Sequence, residues 1–176
     1  YPVLGTQARL RDRFRVLPPT LDGMKYMEGA VYWDPNGKIE LSSDHEGITW
    51  LLGTTNGSPN VEGSPVILEG VTPTYRWGGR ISVYTGLPSV VGWQWHQEQQ
   101  RWGYRSAVGR RIADVNAIYR TTDPSEALSL MRKYGVRYVY VGQLERNYYP
   151  ESGLDKFSGT LSNLLERVFR NGQVAI

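Results

Sequence analysis

The sequence predicts an α/β fold: a three-layer sandwich in which a mostly parallel central sheet is flanked by helices. Three short apolar stretches of buried-strand type, at about 64–69, 89–93 and 136–142, alternate along the chain with helical patterns. Strands that alternate with helices are typical of parallel sheets joined by helical crossovers. The length of 176 residues fits one domain. We therefore expect a single soluble domain, with the region 1–40 packing on an α/β core formed by 41–176.

The first elements are predicted by an alternating segment, a turn and a capped apolar repeat. Residues 8–16 alternate strictly, with arginine at every second position from Arg9 to Arg15, which predicts a half-buried strand with one basic face. That face is either solvated or in contact with lipid headgroups or an acidic partner. Asp34–Gly37 predicts a turn. Residues 44–55 predict an amphipathic helix, because capping residues precede apolar residues at helical spacing.

The second half of the chain carries the clearest local signals. Asp123-Pro124-Ser125-Glu126 combines a capping Asp, a first-turn Pro and a Glu, and therefore predicts the start of a helix. A glycine ends this helix and the strand at 136–142 follows at once. Apolar spacing predicts further helices over 106–120 and near 158–169, and Asn171-Gly172 predicts a turn into a last strand.

Composition excludes several classes of function. The chain has no Cys, which excludes disulfide frameworks, thiol nucleophiles and cysteine zinc sites. A formal net charge of +3 is too small to indicate a nucleic-acid partner. No apolar run reaches the roughly 18 residues of a spanning helix, and the sequence contains no glycine-rich nucleotide motif and no GxSxG nucleophile motif. We therefore expect no cofactor and no nucleic-acid partner.

A metal site is also not expected. The chain has only two His, and the candidate cluster Asp44, His45 and Glu46 consists of neighbours on one predicted helix. Adjacent residues on a helix point in different directions. A solvated first helical turn is therefore the preferred interpretation of these three residues.

The candidate ligand site lies between residues 69 and 96. Glu69 ends a predicted strand, and ligands bind at the carboxyl ends of strands in open α/β sheets. Arg80 suits the bidentate binding of a phosphate or carboxylate. The chain has six Trp and twelve Tyr against three Phe, and such amphipathic rings suit sugar sites and interfaces. The predicted ligand-binding residues are Glu69, Tyr75, Trp77, Arg80, Trp93 and His96.

A structural interpretation remains open beside each of these functional ones. Glu69 and Arg80 also fit a buried ion pair that holds the loop between them. Trp77 and Trp93 also fit a core or an interface. His96, next to Gln97 and Glu98, also fits a structural hydrogen bond.

A series of motifs carries a resemblance to a known family. The motifs are Tyr75-Arg-Trp-Gly-Gly-Arg-Ile-Ser82, Thr85-Gly-Leu-Pro88, Val90-Val-Gly-Trp93 with His96, and Tyr134-Gly-Val-Arg-Tyr-Val-Tyr-Val-Gly142 with Glu145-Arg146. Through them the chain resembles the C-terminal part of the uncharacterised "YYY" family of large multi-spanning membrane proteins. The similarity covers nearly the whole chain. Since the chain begins at Tyr1 and ends at Ile176 in a strand-like pattern, we expect both ends to be boundaries within a longer protein.

That family resembles the GT-C class of polyprenyl-phosphate-sugar-dependent glycosyltransferases, in which many transmembrane helices precede a soluble domain on the outer face. The layout is similar: a helix, a strand, an aromatic loop, then Arg80 before the next strand. The tryptophan-aspartate-tyrosine-glycine signature of the oligosaccharyltransferases is not present here, and GT-C catalytic carboxylates typically lie on loops between transmembrane helices. The resemblance therefore implies a substrate-binding or structural module on the extracytoplasmic face, not a self-sufficient enzyme. As a substrate-binding module, it is expected to help a membrane glycosyltransferase bind an acceptor or a lipid-linked sugar.

Two other functions stay open. The chain is alternatively a non-catalytic packing or assembly domain that contacts the transmembrane helices of its parent chain. A free-standing hydrolase that uses Glu69 and His96 is the third hypothesis. The sequence gives no catalytic residue for the first two.

Overall fold

The computed structural model describes residues 20–53 and 60–176. The strand predicted at 8–16, with its basic face, lies outside the described residues. The arrangement of the whole region 1–40 on the core is therefore described only from residue 20 onward.

Four strands, seven α-helices and one 3-10 helix are assigned within the described residues. In chain order they are a 3-10 helix (Lys25–Glu28), β1 (Val31–Asp34), β2 (Gly37–Glu40), α1 (Leu41–Leu52), β3 (Val66–Leu68), α2 (Arg80–Thr85), α3 (Gln94–Gln100), α4 (Arg105–Arg120), α5 (Pro124–Lys133), β4 (Val136–Val139), α6 (Gln143–Tyr148) and α7 (Glu151–Ser158).

The predicted turn at Asp34–Gly37 is confirmed as the connection of an antiparallel hairpin. β1 and β2 pair with Tyr32 opposite Ile39, and the Asp34 carboxylate accepts the Asn36 N–H at 2.9 Å. Tyr32 and Ile39 are buried while Trp33 between them is exposed, as expected for a strand with one buried face. The sequence patterns predicted the turn but not its two flanking strands.

The predicted three-layer sandwich with a mostly parallel central sheet is wrong. Residues 20–53 and 60–176 form two small sheets, the antiparallel pair β1–β2 and the parallel pair β3–β4. The apolar segment 89–93 contributes only one bridge, between Ser89 and Ile67, because Val90 and Val91 turn into a core of helices. The last strand is likewise reduced to isolated bridges at Ala175.

Both faces of the β3–β4 pair are covered by apolar side chains. Ile67 and Tyr140 point into a core shared with α1 and the hairpin, whereas Leu68 and Val141 point into a second core shared with α4, α5 and α7. This alternation follows from the period of two in a strand. The hydroxyl of buried Tyr119 on α4 donates to the carbonyl oxygens of Leu68 at 3.1 Å and Tyr140 at 2.7 Å, which attaches the helix to both strands.

Most predicted helices are found, with shifted ends. The helix predicted over 106–120 is α4, and the helix predicted from Asp123 is α5, whose first turn is capped by a 2.8 Å bond from the Ser125 N–H to the Asp123 carboxylate. The helix predicted over 44–55 begins at Leu41. No helix in the described part of the chain is long and apolar enough to cross a bilayer.

The helix predicted near 158–169 is wrong. α7 ends at Ser158 and the chain then turns through the following residues. Leu161 is fully buried but Leu164 is 66% exposed, so the leucines that suggested one helical face lie in different surroundings. The helix lies instead over Glu151–Ser158, where a loop was expected up to residue 153.

Candidate functional site

Arg80, the first residue of α2, lies at the centre of a group of buried charges. Its side chain is 1% exposed and forms ion pairs with two carboxylates from distant elements. The guanidinium Nε donates to Asp44 Oδ2 at 2.6 Å and Nη2 donates to Glu145 Oε2 at 2.9 Å. Longer bonds of 3.3 Å to Asp44 Oδ1 and 3.2 Å to Glu145 Oε1 make both contacts bidentate. We call Asp44, Glu69, Arg80 and Glu145 the buried charge cluster.

Further donors satisfy the two carboxylates. Asp44 accepts the indole N–H of Trp77 at 2.7 Å and the hydroxyl of Tyr140 at 3.0 Å. Glu145 accepts the backbone N–H groups of two glycines, Gly70 and Gly142, at 2.9 Å and 2.8 Å. Since a buried charge is tolerated only where it is paired and hydrogen-bonded, this set of donors explains how three elements can meet on charged side chains.

Gly142 allows the backbone to approach the ion pairs closely. A Cβ at this position would lie 3.1 Å from Arg80 Nη2 and 3.2 Å from Asp44 Oδ1. Its backbone N–H could then not remain within bonding distance of Glu145 without a shift of the neighbouring side chains. Gly142 is therefore required by space and not by a special backbone angle.

Glu69 holds the beginning of α2. Its carboxylate accepts the N–H of Ile81 at 3.0 Å and that of Ser82 at 3.2 Å, which are first-turn donors without helical partners. Gly79 precedes the helix with φ of 75°, a value that glycine adopts without strain. Glu69 thus acts on the backbone of α2, and its ion-pair partner predicted from sequence, Arg80, pairs with Asp44 and Glu145 instead.

The carboxyl groups of the cluster differ in proton affinity. Burial raises the pKa of Glu69 to about 7, although the charge of Arg80 and the two backbone donors oppose the change. Burial also acts to raise the pKa of Glu145, but the Arg80 charge and its hydrogen bonds outweigh it, so that this pKa is lowered. Arg80 therefore favours the ionised form of Glu145, whereas Glu69 takes up a proton near neutral pH.

The surroundings of Arg80, Glu69 and Trp77 favour structural roles for these three predicted ligand residues. All three are buried, and the Arg80 nitrogens point at carboxylates of the same chain. A ligand anion would have to displace Asp44 or Glu145 to reach them.

The other three predicted residues form a separate group at the surface. The ring centroids of Tyr75, Trp93 and His96 lie 5.2–5.5 Å from one another, and each ring contacts the other two. The Trp93 indole N–H donates to the Gly78 carbonyl oxygen at 2.7 Å, which fixes the ring against the loop that carries Tyr75. We call these residues the aromatic triad.

Tyr75 is the most unusual member of the triad. It is 56% exposed and has a φ of 65°, the one positive value outside glycine in the described residues. A bulky side chain in this region of backbone space is strained by roughly 1–3 kcal/mol. Strained backbone angles are frequent at functional sites, and at this position the strained residue exposes a large ring to solvent.

A cleft of about 1010 Å³ runs beside the triad. Trp93 and His96 line it together with part of α2, the Pro88–Gly92 segment and the beginning of α4. Two arginines, Arg101 and Arg111, and the rings of Trp102 and Tyr104 complete its wall. The mixture of apolar rings with a few cationic groups suits a ligand that has both apolar faces and an anionic group.

The described residues contain no group of three His, Cys, Asp or Glu side chains that could hold a metal ion. Within the cluster considered from sequence, Asp44 is directed at Arg80, while Glu46 is exposed and accepts a bond from Asn171. The three neighbouring side chains thus have different surroundings, as expected for consecutive helical residues.

Several residues of both groups could not be identified from sequence. The partners of Arg80 are 36 and 65 positions away along the chain, and no local pattern relates them. Arg101, Trp102 and Tyr104 on the cleft wall did carry a signal, since Arg101 and Arg105 flank two aromatic residues in that segment.

The chain matches no protein-family model, no curated protein and no solved structure.

Proposed function

We propose that this chain binds a saccharide in the cleft beside the aromatic triad, as the extracytoplasmic, non-catalytic domain of a GT-C-like membrane glycosyltransferase. The observation that carries the proposal is the strained and exposed Tyr75 ring held against Trp93 and His96. Aromatic faces bind the apolar faces of sugar rings, while their polar edges remain hydrated. The ligand is an acceptor glycan or a lipid-linked sugar.

The cleft offers different groups to the two parts of a lipid-linked sugar. Trp93 in the cleft wall stacks on the sugar ring, together with Tyr75, which contacts Trp93 beside the cleft, and His96 hydrogen-bonds to the hydroxyl groups of the sugar. The phosphate is bound by Arg101 and Arg111, which are exposed and line the same cleft. Arg80 is not part of this site, because its nitrogens are bonded to Asp44 and Glu145.

Chemical-shift mapping of the 176-residue chain tests the proposal with monosaccharides, short glycans and polyprenyl-phosphate analogues as ligands. We expect saturable shifts at Tyr75, Trp93 and His96, and a loss of these shifts in Tyr75→Gly, which removes the ring at a backbone angle that glycine tolerates. Trp33→Ala, which removes an exposed ring from β1, is the matched control and should bind normally.

Shifts confined to other surfaces would contradict the proposed site. A second cleft of about 1090 Å³ lies between β4 and the C-terminal segment. Saturable shifts there, at Tyr138 or Arg146, with none at the triad would move the ligand site to that cleft. No shift with any ligand at millimolar concentration would remove the support for saccharide binding.

A second candidate function is that of a packing or assembly domain for the transmembrane helices of a parent chain. The observation that favours it is the buried charge cluster, which uses the predicted ligand residues Glu69 and Arg80 to hold α1, α2 and α6 together. A rigid scaffold of this kind needs no small ligand. If the chain is stably folded and no saccharide changes its chemical shifts, the packing function is favoured over the first.

A further inference from the structure

We infer that the turn at residues 101–105 attaches this domain to the surface of an anionic lipid bilayer. The inference shares Arg101 and one wall of the cleft with the saccharide proposal, but it also rests on Trp102, Tyr104 and Arg105, and its test contains no sugar. It follows from three observations: exposed aromatic rings at the tip of this turn, arginines around them, and an exposed apolar side chain of α2 that lines the same cleft.

The turn presents its aromatic rings to solvent. Trp102 is 94% exposed and Tyr104 is 64% exposed. The Tyr104 N–H donates to the Arg101 carbonyl oxygen at 3.0 Å, and Gly103 between the rings has a φ of 83°, which closes the chain into a tight turn. A Trp side chain that stays almost wholly in water loses the favourable free energy of burying its apolar surface. The exposure of Trp102 therefore indicates a surface that a partner covers.

Basic side chains surround the two rings. The segment from residue 93 to residue 111 contains four arginines and one glutamate. Arg101 and Arg105 flank the turn directly and both are exposed. The glutamate, Glu98, accepts a 2.8 Å bond from Arg105 Nε, which orients that guanidinium while the segment keeps its positive charge.

A further apolar side chain lies on the same face. Val83 on α2 is 71% exposed and lines the cleft together with Trp102 and Tyr104. Trp and Tyr concentrate at the level of lipid headgroups, where the ring is apolar on one side and hydrated on the other. Arginines beside them bind anionic headgroups. The combination fits a bilayer surface better than an apolar protein groove, because only the bilayer surface offers Arg101 an anionic group.

Vesicle co-sedimentation of the full chain tests this inference. The vesicles are phosphatidylcholine alone and phosphatidylcholine mixed with phosphatidylglycerol. We expect binding to the anionic vesicles that weakens as salt is added. Trp102→Ala should lower the partition coefficient roughly tenfold and Arg101→Gln roughly fivefold, without loss of folding because both side chains are exposed.

Matched controls separate this turn from other exposed groups. Trp33→Ala removes an exposed Trp from β1 and Arg132→Gln removes an exposed Arg from α5; both should bind vesicles as the unaltered chain does. Equal binding by Trp102→Ala and the unaltered chain would overturn the inference, as would an equal loss in Trp33→Ala.

The test also distinguishes a protein partner. If the chain does not bind anionic vesicles but self-associates in sedimentation velocity, and Trp102→Ala abolishes the association, the surface joins two copies of the chain. That result would overturn the lipid inference.

Discussion

The loop between Glu69 and Arg80 serves two regions that differ in almost every physical respect. Trp77 points inward and donates a hydrogen bond to Asp44 in the buried charge cluster. Tyr75, two residues earlier, points outward and packs against Trp93 in the aromatic triad. The cluster is buried, paired and saturated with hydrogen bonds, while the triad is partly exposed and contains a strained backbone angle. Residue type alone therefore does not distinguish a structural role from a ligand-binding one, but burial and the saturation of partners do.

The largest expected difference between the two regions is in stability. Arg80→Met leaves Asp44 and Glu145 buried without their cation, which should lower the free energy of unfolding by about 3–5 kcal/mol. Urea titration measures the change. Arg105→Met, which removes the exposed arginine of the ion pair with Glu98, is the matched control and should cost less than about 1 kcal/mol. Similar losses in the two variants would show that the cluster is not a stabilising centre.

A second prediction concerns pH. Because the pKa of Glu69 rises from 4.5 to about 7 on folding, the folded chain binds more protons than the unfolded chain between these values. Glu69 therefore contributes a loss of stability as pH rises from about 4.5 to about 7. Glu69→Gln removes this contribution, so its stability relative to the unaltered chain should increase by up to about 3 kcal/mol across the window.

Urea titrations at pH 5 and pH 8 measure this change. Exposed Glu151→Gln on α7 serves as the control and should show the same pH dependence as the unaltered chain. If the free energy of unfolding of Glu69→Gln depends on pH as that of the unaltered chain does, then the Glu69 carboxylate is not the group that takes up the proton.

The smallest stability change is expected in the triad. Tyr75→Gly loses ring contacts with Trp93 and His96, each worth about 0.5–1.5 kcal/mol, but it also relieves a strain of about 1–3 kcal/mol. We expect the free energy of unfolding to change by less than about 1 kcal/mol, although saccharide binding is lost. Tyr75→Ala keeps the strained angle and should be less stable than Tyr75→Gly by about 1 kcal/mol. If Tyr75→Gly lowered the free energy of unfolding as much as Arg80→Met, the aromatic triad and the buried charge cluster would not differ in their contribution to stability.

Local signals predicted the three longest helices, α1, α4 and α5, whereas non-local contacts decided the sheet. The Asp123-Pro124 start of α5 is a property of four consecutive residues, and the structure confirms it. The parallel pair instead joins β3 to β4 across about seventy positions, and nothing local shows that the segment 89–93 contributes only the Ser89 bridge. The sequence patterns therefore located α1, α4, α5 and the two parallel strands, but they missed the hairpin strands and the shorter helices, and they predicted the wrong sheet.

The same distinction applies to the candidate site. Tyr75, Trp93 and His96 were expected at one edge, because each follows a segment of strand type, and they lie together. The separation of Arg80 from them depends on Asp44 and Glu145, which approach from distant parts of the chain. A prediction that has no access to those contacts cannot tell a buried guanidinium from one that binds a ligand.

The spacing of the cluster along the chain has a consequence for the folding reaction. Its ion pairs join positions 44, 80 and 145, so neither ion pair forms until segments separated by tens of residues have met. Closing such long loops costs entropy before any contact offsets it, and contacts of high sequence separation slow folding. We therefore expect the ion pairs to close late, after the helices, and to act mainly on the rate of unfolding.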